Sequence, residues 1–170
     1  MKELARLLEE MTRLGVIQNY AIFGAVAQMR YTEAVVTMDA DVLVEVKDGD
    51  NLAILAPIYE FCKKKGYYPE GEAIRVGAWP VQFIPTFDDL TADAIHAADQ
   101  ADLHGVGIRV VTADYLAIIA LKAGRPKDMA RILALLDSES VSVEDLEKLA
   151  RKYNLSEPWI RFKGRFIDER

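Results

Sequence analysis

The chain contains 170 residues, of which 51% are hydrophobic and 28% are charged, as is ordinary for a globular protein with one well-buried core. Its net charge of −6 argues against broad electrostatic binding to DNA or to anionic membranes. The single cysteine, Cys62, excludes an internal disulfide, and its place on an apolar helical stripe predicts a buried thiol. No apolar run approaches the roughly 20 residues that span a bilayer, and the charged N-terminal segment lacks the apolar core of a signal peptide. We therefore predict a cytoplasmic protein.

The first half of the chain alternates helical and strand patterns. Apolar residues at helical spacing predict an amphipathic first helix that ends near Gly15, and they are Leu4, Leu7, Leu8, Met11 and Leu14. A strand at residues 17–23 and a short helix from Gly24 to about Tyr31 follow. The β-branched run at residues 40–46 predicts a second strand. A second long helix is marked by Leu52, Leu55, Ile58, Tyr59 and Cys62.

The second half begins with strands and ends in helices. Strands are predicted at residues 73–76 and 81–84 with a hairpin turn between them, then helix and loop at 88–100 and a strand at 107–111. Thr112 is predicted to cap a helix at 113–123, and Gly124 and Pro126 separate it from a helix at 127–136. Ser142 is predicted to cap a helix at 143–153. The fold class is therefore α/β, with a mixed-sheet core at 1–111 and a C-terminal helical bundle at 112–170 packed on it.

Two aspartates, Asp39 and Asp41, are the most informative feature of the chain. They stand at the start of the second strand, and alternate strand residues point to one face with Cα atoms about 6.6 Å apart. Upstream, the first strand ends at Gly24, and a glycine turn that opens a helix exposes backbone N–H groups that suit a phosphate. Magnesium prefers one or two carboxylates together with phosphate oxygens. The pattern therefore predicts a site for a metal ion and a nucleotide.

Each of these features also has a purely structural interpretation. The aspartates fit the solvent-facing side of a half-exposed strand, since Glu45 continues that face, although Leu43 interrupts it. Gly24 fits a tight turn. Lys122, in an apolar helix, either extends to the surface or enters a phosphate-binding cleft. Arg125, Lys127, Asp128 and Arg131 fit a solvated helix start with local ion pairs, and the basic tail Arg161, Lys163 and Arg165 gives a weak signal for RNA contact.

The strand that ends at Gly24, the short helix and the motif Thr37-Met-Asp39-Ala-Asp41 together resemble the nucleotidyltransferase superfamily, which has the polymerase β-like fold. The later segment from Val110 to Asp128, with Lys122 and Arg125-Pro-Lys-Asp128, looks like the abortive-infection AbiEii-like toxin branch of that superfamily. The resemblance covers residues 17–136, which is most of the chain.

The resemblance implies a mechanism in which two Mg²⁺ ions held by carboxylates position an NTP. A hydroxyl of an acceptor RNA or protein attacks the α-phosphorus, and pyrophosphate leaves. Asp39 and Asp41 match the catalytic metal ligands. The nucleotide-binding positions are Gly24, Ala25, Thr37, Lys122 and Arg125. The resemblance also implies a role in a toxin–antitoxin or phage-defence pair, with a cognate antitoxin as partner.

The chain departs from the family pattern at three positions. Ala25 replaces the usual Gly or Ser, Val35 stands where an arginine is common, and Gln82 occupies the place of the third carboxylate. An amide is a neutral ligand and a poor base. The acids Glu72, Asp88 and Asp89 lie nearby in sequence, but their spacing supports none of them as a substitute. Two main hypotheses follow: a nucleotidyltransferase, or a catalytically degenerate module that binds nucleotide or protein. A third, a helical interaction protein with no nucleotide link, requires the pattern from Gly24 to Asp41 to be chance.

Overall fold

A computed structural model describes residues 1–33, 35–47, 53–103 and 105–168 of the chain. The chain forms two compact units. The first, called the sheet unit here, comprises Met1–Val26 and Val36–Val111, and the second, called the helical unit, comprises Ala27–Val35 and Thr112–Arg170. The predicted division into 1–111 and 112–170 stays a prediction. No helix in the described ranges is long and apolar enough to cross a membrane.

The described part of the sheet unit contains one seven-stranded mixed sheet, with strands in the order β3-β4-β5-β2-β1-β7-β6. The strands are β1 (Asn19–Phe23), β2 (Ala40–Glu45), β3 (Pro69–Glu70), β4 (Ala73–Val76), β5 (Trp79–Pro85), β6 (Asp99–Leu103) and β7 (Val106–Val110). β2 runs parallel to β5, and β1 runs parallel to β7. The other neighbours are antiparallel. The predicted mixed α/β fold is confirmed.

The central strand β2 is covered on both faces. Val42, Leu43 and Val44 follow one another and are all buried, whereas a strand with one wet face alternates buried and exposed residues. Asp41 and Glu45, near its two ends, are half-buried. The interpretation of Asp41 as part of a solvent-facing strand surface is therefore wrong, because Leu43 on the same face is buried.

Four helices begin in the described part of the sheet unit: α1 (Lys2–Arg13), α2 (Gly24–Gln28), α3 (Ala56–Lys64) and α4 (Asp89–His96). α1 buries Leu4, Ala5, Leu7, Leu8 and Met11 and packs on β7 and β1. Leu14 was expected on this buried face and is 52% exposed, because the helix ends at Arg13. Leu52, predicted as part of the second helix, lies outside the described residues.

The described helical unit contains α5 (Ala113–Ala123), α6 (Pro126–Asp137), α7 (Val143–Lys152) and α8 (Ser156–Phe166). Gly124 ends α5 at φ +69°, the left-handed conformation that favours glycine. Ser142 caps α7 as predicted, since its hydroxyl accepts the backbone N–H of Asp145 at 3.0 Å. Thr112 occupies the N-cap position of α5 but makes no capping bond, because its hydroxyl bonds to the Asp114 carboxylate instead.

Sequence patterns did not predict three elements, namely β3, β6 and α8. β6 carries Asp99, Gln100 and Asp102, so it lacks the apolar alternation that indicates a strand. It is an edge strand held by antiparallel pairing with β7. α8 does carry a helical signal, because Trp159, Phe162 and Phe166 recur at helical spacing.

Candidate functional site

The turn at Gly24 is built around the carboxylate of Asp41. In the sheet register, Phe23 at the end of β1 is the partner of Asp41 on β2, so the next residue, Gly24, meets this side chain. Gly24 has φ +65°, and a Cβ placed there would lie 2.2 Å from Asp41 Oδ2 and 3.0 Å from its Cγ. Both the backbone conformation and the contact therefore require glycine. The structure brings the predicted glycine turn and one predicted acid together.

Asp39 lies one residue before β2, in a bend, and is half-buried. Strand alternation therefore does not fix the direction of its side chain. The Thr37 hydroxyl lies 3.1 Å from Asp39 Oδ1 and 3.0 Å from the Asp39 carbonyl oxygen, so it donates to one or the other. Thr37 was predicted to touch nucleotide, and in this structure it positions Asp39.

Two large apolar side chains next to Thr37 are unusually exposed. Val36 is 96% exposed and Met38 is 85% exposed, so both lie in solvent beside Asp39. Sequence analysis assigned them no role. The segment that carries them is irregular, so the sequence pattern gave no signal for their exposure.

Gln82 is the neighbour of Asp41 across the sheet. The two residues are register partners on the parallel strands β2 and β5, and such partners project to the same face. Gln82 is half-buried, and its side chain projects from the same face of the sheet as that of Asp41. This places a neutral side chain at the position that sequence analysis compared with a third carboxylate.

The three acids that sequence analysis considered as substitutes for the third carboxylate lie at the start of α4 and between β3 and β4. Asp88 is the N-cap of α4, and its Oδ1 accepts the Thr91 backbone N–H and hydroxyl, both at 2.8 Å. Asp89 is exposed in the first turn of α4, and Glu72 is exposed between β3 and β4. Among the described residues, no group of three or more His, Cys, Asp or Glu side chains is placed to hold a metal ion.

Ala25, the second predicted phosphate-binding position, follows Gly24 in α2 and is half-exposed. α2 spans five residues, so its dipole is small compared with that of a long helix. Any phosphate contact at this turn therefore depends on the individual backbone N–H groups of Gly24 and Ala25.

Lys122 and Arg125 lie in the helical unit. Lys122 is exposed near the end of α5. The Arg125 guanidinium donates to Asp128, with Nε 2.6 Å from Oδ2 and Nη2 3.3 Å from Oδ1. Their contribution of positive charge to a nucleotide stays a prediction.

Asp128 was interpreted as part of a solvated helix start, and this is wrong because it is fully buried. Arg131 Nη1 lies 3.5 Å from Asp128 Oδ1. Arg131 Nε also donates to Gln28 Oε1 at 3.0 Å, and Ser140 donates to the Tyr31 carbonyl at 2.9 Å. These contacts link Gln28 to α6 and Tyr31 to the turn after α6, within the helical unit.

Two solved structures superpose on this chain over nearly the whole length of both proteins. An antigenic nucleotidyltransferase-like protein from Paracoccidioides brasiliensis superposes with a TM-score of 0.54 at 12% identity, over 94% of this chain and 93% of that one. The antibiotic-resistance factor ANT(2'')-Ia superposes with a TM-score of 0.52 at 12% identity, over 95% of each chain. No protein-family model and no curated protein sequence matches the chain. At this identity the similarity defines the fold, which is nucleotidyltransferase-like.

The donor set fits one magnesium ion bound together with a nucleotide. Mg²⁺ takes one or two carboxylates and completes its shell with phosphate oxygens and water, and Asp39 and Asp41 have the chemistry that this role requires. The absence of a Cβ at Gly24 leaves room for the Asp41 carboxylate beside the backbone. With Gln82 in place of an acid, the described residues offer no third carboxylate for a second ion.

Proposed function

We propose that the chain binds a magnesium–NTP complex at Gly24, Asp39 and Asp41 and transfers NMP from it to a hydroxyl group. The observation that carries this proposal is the contact between Asp41 Oδ2 and the bare Cα of Gly24. It brings an anionic metal ligand to the backbone turn that would hold the phosphates. The nucleotidyltransferase-like fold supports the same assignment.

Each residue has a defined task in this proposal. Asp39 and Asp41 hold the ion, and the backbone N–H groups of Gly24 and Ala25 bind the phosphate chain. When bound, Mg²⁺ supplies charge neutralisation on the phosphate oxygens. The acceptor oxygen forms a bond to the α-phosphorus, the bond from that phosphorus to the bridging oxygen breaks, and pyrophosphate leaves. The hydroxyl proton passes to solvent, because Gln82 cannot accept it.

By resemblance, the acceptor is an RNA or a protein, and the setting is a toxin–antitoxin or phage-defence pair with a cognate antitoxin. The chain's net charge of −6 supports an acceptor recognised by local contacts rather than by broad attraction to nucleic acid.

Calorimetry tests the binding step. We expect Mg-ATP or Mg-GTP to bind the native chain, EDTA to remove the binding, and Asp39→Ala and Asp41→Ala to lose it. Glu72→Ala, an exposed acid in a turn of the same unit, is the matched control and should bind like the native chain. Equal binding by the native chain and the two aspartate variants would refute the site.

The transfer step has its own experiment. The native chain is incubated with α-³²P-labelled NTPs and total cell extract, and we expect label on RNA or protein that depends on magnesium and on Asp41. Binding without any transfer of label would leave the nucleotide site intact and exclude the enzyme.

A second candidate function is a nucleotide-binding module that has lost catalysis. The position of Gln82 beside Asp41 favours it specifically, because an amide cannot serve as the missing acid. Gln82→Asp discriminates between the two. A gain of label transfer in this variant, from an inactive native chain, indicates a degenerate site, whereas a native chain that is already active excludes this candidate.

A further inference from the structure

A groove in the helical unit combines an apolar floor with a cationic rim. One cavity of about 420 Å³ lies between α5, α6 and α8, and a second of about 350 Å³ adjoins it. The two share Met129, Arg165 and Phe166, so they form one elongated depression. Each cavity lies in the size range of roughly 300–1,000 Å³ in which proteins bind side chains and small ligands.

The charge on the rim is opposite to that of the chain as a whole. Lys122, Arg161 and Arg165 line the first cavity, and no acid is among the described residues that line either one. Arg161 pairs with Glu157 one turn away on α8, and this contact is between two largely exposed groups, so it is weak. An arginine fork matches a carboxylate in a bidentate manner. In a protein of net charge −6, a groove lined by basic side chains fits an acidic ligand.

The aromatic rings of the groove contact other side chains of α8. Phe162 stacks on Trp159 with ring centroids 5.6 Å apart, and Phe166 packs on Phe162 at 5.1 Å. The Arg165 guanidinium lies 5.0 Å from the centroid of the Phe166 ring. Binding of single-stranded nucleic acid relies on open aromatic faces for base stacking, whereas Phe162 is buried and Phe166 already contacts Phe162 and Arg165. Aliphatic and aromatic side chains of a peptide need apolar surface only, which Met129 and Leu133 extend.

The third basic residue of the tail does not join the groove. Lys163 bonds to Glu147 at 3.2 Å and lies 5.8 Å from the Trp159 ring centroid. The basic tail therefore divides into one residue used for internal packing and two, Arg161 and Arg165, on the rim.

We propose that this groove is a docking site for an acidic amphipathic peptide segment of a partner protein. Apolar side chains of the segment enter the two cavities, and its carboxylates meet Lys122, Arg161 and Arg165. Helix or strand segments with such a two-sided character commonly bind grooves through a few apolar anchors.

The test uses a display library of random 16-residue peptides selected on the immobilised full chain. We expect selected peptides to be rich in Asp and Glu together with Leu, Phe or Trp. The strongest is then labelled with fluorescein, and its binding is measured by fluorescence polarisation. Reversal of two rim charges in Arg161→Glu/Arg165→Glu should weaken it at least about tenfold. The control Lys148→Glu reverses an exposed charge on α7 of the same unit and should change affinity less than about twofold.

Three results would overturn the proposal: no enrichment of acidic amphipathic peptides, equal binding to the double variant, or tighter binding of a 15-nucleotide single-stranded RNA that is lost in the same variant. Thermal melting by circular dichroism establishes that the variants fold. If the double variant does not fold, Arg165→Gln replaces it, with an expected loss of about threefold, and an unchanged affinity there counts against the groove.

Discussion

Asp41 in the sheet unit and Asp128 in the helical unit show two different uses of an aspartate. Asp128 is fully buried, and its carboxylate accepts from Arg125 and lies near Arg131. Asp41 is half-buried, and its carboxylate lies against the Cα of Gly24. Removal of a buried acid that pairs with arginines destabilises its own unit, because it leaves buried positive charge without its partner. A half-buried acid beside a backbone turn is the position at which we propose that a cation binds.

Charged residues of one sequence motif can have structural roles rather than ligand-binding roles. Arg125 and Asp128 belong to the segment that resembles a ligand-binding element, yet they bond to each other. Asp39 is held by Thr37 in an irregular segment and stays half-exposed. The sheet unit therefore offers the stronger candidate for chemistry, and the acids of the two units should respond differently to substitution.

The largest expected effect is on stability, from Asp128→Ala. Removal of this carboxylate leaves Arg131, whose side chain is 13% exposed, without its ion pair, and we expect the free energy of unfolding in urea to fall by about 3 kcal/mol. Asp39→Ala should lower it by less than about 1 kcal/mol. Similar losses for the two variants would remove the contrast between the acids.

Gly24→Ala should give the next largest effect. The new Cβ would clash with Asp41 Oδ2 and would adopt a left-handed conformation, so we expect Mg-ATP affinity in calorimetry to fall about tenfold, or 1.4 kcal/mol. Gly71→Ala is the matched control, because Gly71 has φ +64° with nothing within 4 Å of a Cβ. Both variants carry a left-handed strain of about 1 kcal/mol, but the control should bind nucleotide normally. Equal affinities in the two variants would mean that the contact with Asp41 is irrelevant to binding.

Local patterns predicted the parts of this site that depend on neighbours in sequence. The sequence predicted both β2, from its β-branched run, and the turn after β1, from its glycine, because strand propensity and a left-handed turn are local properties. The contact of Gly24 with Asp41 and the pairing of Asp41 with Gln82 depend on sheet register. The family resemblance assigned Gln82 to the place of a third carboxylate and so anticipated its pairing with Asp41. Periodicity alone predicts neither this pairing nor the contact of Gly24 with Asp41.

Burial of charge was the least predictable property. Asp128 lies in a polar stretch, and the arginine that shares its environment, Arg131, is fixed by Gln28, which is 103 residues away in the sequence. β6 was missed for a similar reason, since its order comes from pairing with β7 rather than from its own composition. Tertiary contacts determine both the burial of Asp128 and the formation of β6, and a local sequence pattern carries no direct signal for such contacts.

A smaller effect is expected from the hydroxyl that holds Asp39. Thr37→Val removes the bond to Asp39 at nearly constant volume, and we expect Mg-ATP affinity to fall about threefold, in line with a hydrogen bond of about 0.5–1.5 kcal/mol. Thr37→Ser keeps the hydroxyl and should bind like the native chain. Equal losses in both variants would indicate that the methyl group, and not the hydroxyl, is what matters.

At neutral pH the smallest effect is the one from the ionisation of Cys62, a fully buried titratable group that carries no charge there. Burial raises the pKa of its thiol from 9.0 to about 11, so the folded chain holds this proton over a pH range in which the unfolded chain has lost it. Stability conferred by the neutral thiol is therefore complete below pH 9 and falls as the pH rises from 9 towards 11, with a slope of about 1.4 kcal/mol per pH unit. Comparison of unfolding free energies of the native chain and Cys62→Ala from pH 8 to 11 isolates this slope, since other groups titrate in both. Parallel curves for the two proteins would show that the thiol ionises as readily in the folded chain as in the unfolded one.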